Sequence, residues 1–131
     1  MGQQGKHLNS IHVSHEKHTA ACATEIMAIP ETVCISMSQH IGAPCKPLVA
    51  KGDAVKVGQV IGDTDAFVSA PIHSSVSGTV KDMITMRNVM GGKDQMVVIE
   101  ADGKQEVWEE IKPPVINDMK DFIAAMRASG L

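Results

Sequence analysis

The chain has 131 residues, enough for one domain with an appended element. Apolar residues make up 44%, yet there is no Tyr, two Phe and one Trp against nine Met, so the expected core is Val, Ile, Leu, Met and Ala rather than aromatic. A net charge of −3 with interleaved signs excludes a basic nucleic-acid face, three aromatics give single-stranded bases nothing to stack on, and apolar runs of a few residues cannot span a bilayer.

Residues 1–28 read as a flexible N-terminal arm, polar at first and without the basic-then-apolar pattern of a signal peptide. His12, His15 and His18 recur every third residue within it. Neutral imidazoles bind zinc, nickel or copper, so these three are candidate metal ligands, but the spacing clusters the rings only on a helix and the local Val, Ser and Thr are poor helix formers. A solvated histidine-rich arm is the competing expectation. Cys22, Cys34 and Cys45 are odd in number and form no Cys-x-x-Cys, which fits reduced thiols and not a zinc or iron–sulfur site.

Residues 29–104 break into short apolar stretches punctuated by Gly, Pro, Asp and Asn, the pattern of many short strands. Strands are predicted at Val33–Met37, Lys46–Val49, Val60–Gly62, Phe67–Ser69, Gly78–Met86 and Gln95–Glu100. Gly52-Asp53 and Gly58-Gln59 read as turns, since Gly takes positive φ readily and Asp bonds its own turn backbone. Pro44, Pro47 and Pro71 belong at edges or bends because they cannot donate to a ladder. Ser38-Gln39-His40-Ile41-Gly42 aligns with Ser74-Ser75-Val76-Ser77-Gly78 at an offset of 36, and the same offset sets Val60-Ile61 over Met96-Val97. This predicts two similar β units packed face to face about an approximate two-fold axis, neither able to bury its apolar face alone.

Residues 105–131 read as a linker and a C-terminal helix leading towards a further domain. Trp108 sits in the acidic link Glu106 to Glu110 and is expected to anchor it to the β unit, with a partner contact as the alternative. After Pro113-Pro114, a helix is predicted over 118–129, with Asn117 as cap, Asp118 and Asp121 in the first turn, Arg127 in the last and Gly130 as stop. Met119, Phe122, Ile123 and Met126 make one apolar stripe, available to the β unit or to a following domain.

The stretch Ala50 to Ile61 fits Gly-Asp-x-Val-x-x-Gly-Gln, and Ala70-Pro71 with Ser77-Gly78-Thr79-Val80 completes the pattern. It resembles the biotinyl/lipoyl-type hammerhead, a mainly β barrel-sandwich hybrid. A free-standing carrier or ligand-binding domain of that type is the alternative function. A carrier attaches its cofactor as an amide to a lysine at the tip joining its halves, whereas the joining segment Gly62 to Ser69 contains no Lys. Lys51 and Lys56 are expected to be solvated charges.

The runs Ser38-Gln39-His40-Ile41-Gly42-Ala43-Pro44 and Phe67-Val68-Ser69-Ala70-Pro71-Ile72-His73-Ser74-Ser75-Val76-Ser77-Gly78 are similar to the amino-terminal barrel-sandwich hybrid domain of RnfC. RnfC is a peripheral subunit of ion-translocating ferredoxin:NAD oxidoreductase, and NqrA of sodium-translocating quinone reductase is its near neighbour. Of the family's Gly-Gly-x-His-Pro-Pro-like start, this chain keeps only His12. The resemblance implies a subunit at the cytoplasmic face of the cell membrane. Its FMN, NADH and two 4Fe–4S clusters would belong to parts of the parent protein beyond residue 131, so no cofactor residue is expected here. The implied partners are the downstream flavin/NADH domain and the other subunits of the complex, with no nucleic acid and no direct membrane insertion. The motif's turn positions are Gly42, Gly52, Asp53, Gly58, Gln59, Pro71 and Gly78. His40 and His73 are candidate partner contacts, against the plainer reading of half-buried histidines bonded to backbone. Ser69, Ser74, Ser75 and Ser77 cluster near His73 without a triad acid or a Gly-x-Ser-x-Gly, so the residues themselves are expected to be non-catalytic.

Overall fold

A computed structural model of the protein describes residues 16–130. Seven strands and one helix follow in order: β1 (Thr32–Ser36), β2 (Lys46–Pro47), β3 (Ala54–Val55), β4 (Val60–Asp63), β5 (Ile72–His73), β6 (Gly78–Arg87), β7 (Lys93–Ala101) and α1 (Met119–Ala128). One sheet runs β1-β7-β6-β3 and the other β2-β4-β5, with neighbouring strands antiparallel throughout both sheets.

The predicted repeat is visible in this topology. A shift of 36 residues carries β2 onto β6 (Lys46 to Asp82), β4 onto β7 (Val60 to Met96) and the end of β1 onto β5 (Ser36 to Ile72). The triplet β1-β7-β6 thus has its counterpart in β5-β4-β2, each with the repeat-equivalent strand at its centre. Pairing agrees to within one residue: Lys46 faces Asp63 in one unit and Asp82 faces Val98 in the other, the slip falling at the bulge between Val80 and Asp82. The inner faces meet in an aliphatic core in which Ile61, Val97 and Ile99 are 0% exposed. Met37, Val55 and Val80 complete the deepest layer. The expectation that Leu and several Met share this role is corrected: among the described residues no Leu is buried, Met37 is the one buried methionine, Ala101 packs only at the edge of the core, and Val and Ile with Cys45 fill the rest. Two-residue strands leave narrow inner faces, which β-branched side chains fill without the length of Leu or Met.

Three local readings also change. Phe67–Ser69 is no strand; the Ser69 hydroxyl donates to the Ala66 carbonyl (2.7 Å), folding the loop on itself and leaving Phe67 fully exposed. β3 and β5 escape prediction because two residues carry no periodicity. Asp118, not Asn117, caps α1: it is extended (φ −144°) and its carboxylate accepts the Asp121 N–H at 2.9 Å. Asp121 in turn accepts from the Asn117 N–H (3.0 Å), so Asn117 supports the cap from one position earlier. Pro47 lies on the edge strand β2, where its missing donor costs no ladder bond.

Candidate functional site

The loop between β4 and β5, residues 64–71, carries no lysine. A guanidinium from α1 holds this loop. Arg127 Nη2 donates to Asp63 Oδ1 (2.9 Å) and the Thr64 carbonyl (3.1 Å). Its Nη1 donates to the Ser69 carbonyl (3.2 Å) and Ser69 Oγ (3.3 Å). The planar fork of Arg suits this four-point grip, which a lysine ammonium would not reproduce. Sequence reasoning gave Arg127 only a role at the helix dipole; acceptors some 60 positions away leave no local signal.

Beside this clamp the structure brings together the two histidines that lie 33 residues apart in sequence. His40, His73, Gln39, Pro71, Ser129 and Gly130 all line one surface cleft of about 250 Å³. His40 Nε2 is 3.5 Å from Cys45 Sγ and its Nδ1 is 3.3 Å from the Ile41 carbonyl. His73, on β5, pairs with Val60 of β4 and lies against the end of α1 at Gly130. The Cys45 thiol donates to the Ala70 carbonyl at 3.2 Å. Burial pushes its pKa up, the Asp63 carboxylate adds to that, and Arg127 opposes it. A protonated buried thiol is a hydrogen-bond donor, not a nucleophile. The serines are committed elsewhere: Ser74 donates to the Val76 carbonyl (2.7 Å) and Ser77 to Asp102 Oδ1 (2.6 Å). Among the described residues no serine hydroxyl bonds a histidine.

The motif glycines build two matching turns. Gly52 (φ 96°) donates to the Val80 carbonyl while Val80 donates back to Asp53, each at 2.8 Å. Six residues on, Gly58 (φ 79°) donates to Ser74 and Ser74 donates back to Gln59, again at 2.8 Å. Asp53 Oδ2 accepts the Ala50 N–H (2.7 Å) and Gln59 Oε1 the Lys56 N–H (3.0 Å), so acid and amide close their turns in the same way. A Cβ at Gly78 would overlap the Glu100 carbonyl, and one at Gly42 the Val68 carbonyl. Pro71 is largely buried in the wall of the His40–His73 cleft.

Lys56 is not the free solvated charge expected. Its ammonium bonds Glu109 and lies 3.7 Å from Glu106. The Glu109 bond is the main cause raising the Lys56 pKa, and the same bond lowers that of Glu109. Lys51 is 4.0 Å from Asp82 and largely exposed. The acidic link is stitched to the body through backbone as well: Val57 donates to Glu106 (2.9 Å) and Trp108 to Val57 (3.0 Å), with the Trp108 ring half-buried.

This link sets α1 against the β body along its small face. Ala125, Ala128 and Ser129 line a cleft with Gly58, Val60 and Trp108. No residue of α1 is buried. The predicted stripe faces away: Phe122 is 45% and Ile123 60% exposed, with Met119 and Met126 beside them. His18 pairs with Glu16 at 2.7 Å on the exposed arm, while His12 and His15 lie outside the described residues. Among the described residues no three His, Cys, Asp or Glu side chains are grouped to hold a metal, and no helix is long and apolar enough to cross a membrane.

Comparison with known proteins converges on one family. The family described as the RnfC barrel sandwich hybrid domain matches residues 6–104. The C subunit of the proton-translocating ferredoxin:NAD(+) oxidoreductase complex of Clostridium ljungdahlii is 45% identical over 120 residues, covering 88% of this chain and 26% of that protein. The C subunit of the Na(+)-translocating complex of Acetobacterium woodii is 42% identical over 112 residues, covering 85% of this chain and 25% of that protein. Its counterpart in the ion-translocating oxidoreductase complex of Methanosarcina acetivorans is 38% identical over 87 residues, 65% of this chain and 20% of that protein. The chain therefore spans about a quarter or less of the length of these relatives.

Proposed function

The chain belongs to the RnfC barrel-sandwich hybrid family, and from that premise we propose that it is a non-catalytic docking domain of an RnfC-like subunit in a membrane-bound, ion-translocating ferredoxin:NAD oxidoreductase. Residues 29–104 form its body, and 105–131 carry the chain towards the flavin/NADH domain of the same subunit. FMN, NADH and the two 4Fe–4S clusters are held by that remaining part. The subunit sits peripherally at the cytoplasmic face, bound to the other subunits of the complex.

The observation that carries this reading is the clamped helix. Arg127 fixes α1 to the β4–β5 loop while the Met119–Phe122–Ile123–Met126 stripe stays bare. An apolar helix face held in place yet uncovered is a surface prepared for another domain. The His40–His73 cleft opens beside the same helix end and adds polar contacts to that interface. The carrier alternative is disfavoured because the loop lacks the amine the amide requires and is gripped by an arginine.

The test is the double substitution Met119→Glu, Phe122→Glu in a full-length subunit that includes this domain. The expected result is loss of flavin retention or of the subunit from the complex, with an unchanged melting temperature for the isolated chain. Normal assembly with both glutamates in place would refute the docking role. An intact mass carrying a biotinyl or lipoyl group would replace it with the carrier reading.

A further inference from the structure

The β6–β7 hairpin carries a second uncovered surface that the docking role of α1 does not use. β3 pairs only with Gly78 and Thr79 of β6, and β1 only with Met96–Glu100 of β7. Residues from Thr85 to Gln95 therefore leave the sheet as a two-stranded arm. Such a ribbon is marginal on its own and needs something to hold it. Its tip is held by Asn88, whose backbone N–H donates to the Gly92 carbonyl (3.0 Å) and whose Oδ1 accepts from Met90 N–H (3.1 Å) and Gly92 N–H (2.8 Å). Asn88 Nδ2 donates to Asp94 Oδ1 at 3.0 Å. On this fixed turn Val89 is 102% exposed and Met90 89%, with Met86 half-exposed behind them.

Arg87 and Lys93 stand directly opposite each other at the neck of the tip. Like charges facing across strands are unfavourable, and neither cation makes an ion pair among the described residues. The nearest acid in sequence, Asp94, is engaged by Asn88. Five acids, Glu100, Asp102, Glu106, Glu109 and Glu110, follow at and beyond the other end of the hairpin, Glu100 itself about 24 Å from Lys93 by strand rise. With Asp94 counted, residues 86–94 carry a net charge of +1 within a chain of −3, beside the exposed Val89 and Met90.

The occupant must accept two apolar side chains and place negative charge beside them. An apolar protein groove without acids at its rim meets only the first demand. The surface of a bilayer containing anionic lipid meets both, with Val89 and Met90 among the acyl chains and the cations at the headgroups. We propose that the Val89–Met90 tip, with Arg87 and Lys93, contacts an anionic membrane surface. The contact is interfacial, with no segment crossing the bilayer. It goes beyond the expectation of no direct membrane insertion by adding a surface contact, and it stands independently of the family reading.

The experiment is flotation of the 131-residue chain with vesicles of phosphatidylglycerol and phosphatidylethanolamine, against vesicles of phosphatidylcholine, at low salt. The wild-type chain is expected to float with the anionic vesicles only and to be released by high salt. Arg87→Ala with Lys93→Ala should weaken binding by about twenty-five-fold, since each cation near an anionic surface contributes about fivefold. Val89→Asp with Met90→Asp should abolish it, and Phe67→Asp, an equally exposed apolar site on the β4–β5 loop, should leave it unchanged. Thermal melts confirm that each variant is folded. No flotation of the wild type, or flotation insensitive to the tip variants, would overturn the proposal. So would a photo-crosslinker at position 90 that captures only a protein subunit in native membranes.

Discussion

The β body and the C-terminal helix are built on opposite terms. In the body, Ile61, Val97 and Ile99 are wholly buried and two sheets close over them. In α1 no side chain is buried, and a single arginine makes the decisive attachment. A structure whose core is complete without its last element can lose that element and stay folded. The apolar stripe of the helix is therefore not a missing part of the core, which is what the proposed docking role requires.

The comparison breaks most visibly in the body. Ile61→Ala should destabilise the chain by about 2–5 kcal/mol in urea unfolding, because a fully buried branched side chain leaves a cavity between two sheets. Gly78→Ala should cost about 1–3 kcal/mol, since the added methyl meets the Glu100 carbonyl and β6 must shift against β7. Arg127→Ala should change global stability by less than about 1 kcal/mol, as the guanidinium and Asp63 are both partly exposed. The same variant should release α1, seen as loss of helical circular dichroism and faster amide exchange over Phe122–Ala128.

The smallest expected effect lies at the seam between the regions. The Ser77 hydroxyl, and then the Lys104 N–H, hold the Asp102 carboxyl below its ordinary value of 3.8. A depressed carboxylate pKa means the unfolded chain binds the proton more readily. Its stabilising contribution is thus complete above pH 3.8 and is lost as pH falls through the lower folded value. Asp102→Asn should flatten the acid limb of the stability profile in that window alone, while Lys104→Ala should leave most of it.

Much of the body is legible from residues that act locally. Gly52-Asp53 and Gly58-Gln59 signal their turns because positive φ and side-chain-to-backbone bonds are written within four positions. β6 and β7 are long enough to show their pattern, and the 36-residue offset exposes the pseudo-two-fold in the amino-acid order alone. What stays hidden depends on distant partners. Nothing near Arg127 names Asp63 or Ser69, and nothing near Lys56 names Glu109. The periodicity of α1 reveals its stripe but not which way it faces, because that is decided by the clamp and by the small face at Ala125 and Ala128. Phe67–Ser69 reads as a strand because apolar β-formers suit strands, whereas the Ser69 hydroxyl closes a turn there.

Native-state amide exchange, on the isolated chain and on a full-length subunit that includes it, tests the division between body and helix most directly. In the isolated chain, amides of Val80 and of Val97–Ile99, in the buried part of β6 and β7, should exchange only by global unfolding while those of α1 exchange far faster, and in the full-length subunit α1 should become protected. Equal protection of α1 and the strands in the isolated chain, or no gain of protection in the larger protein, would contradict the reading of this helix as a docking surface.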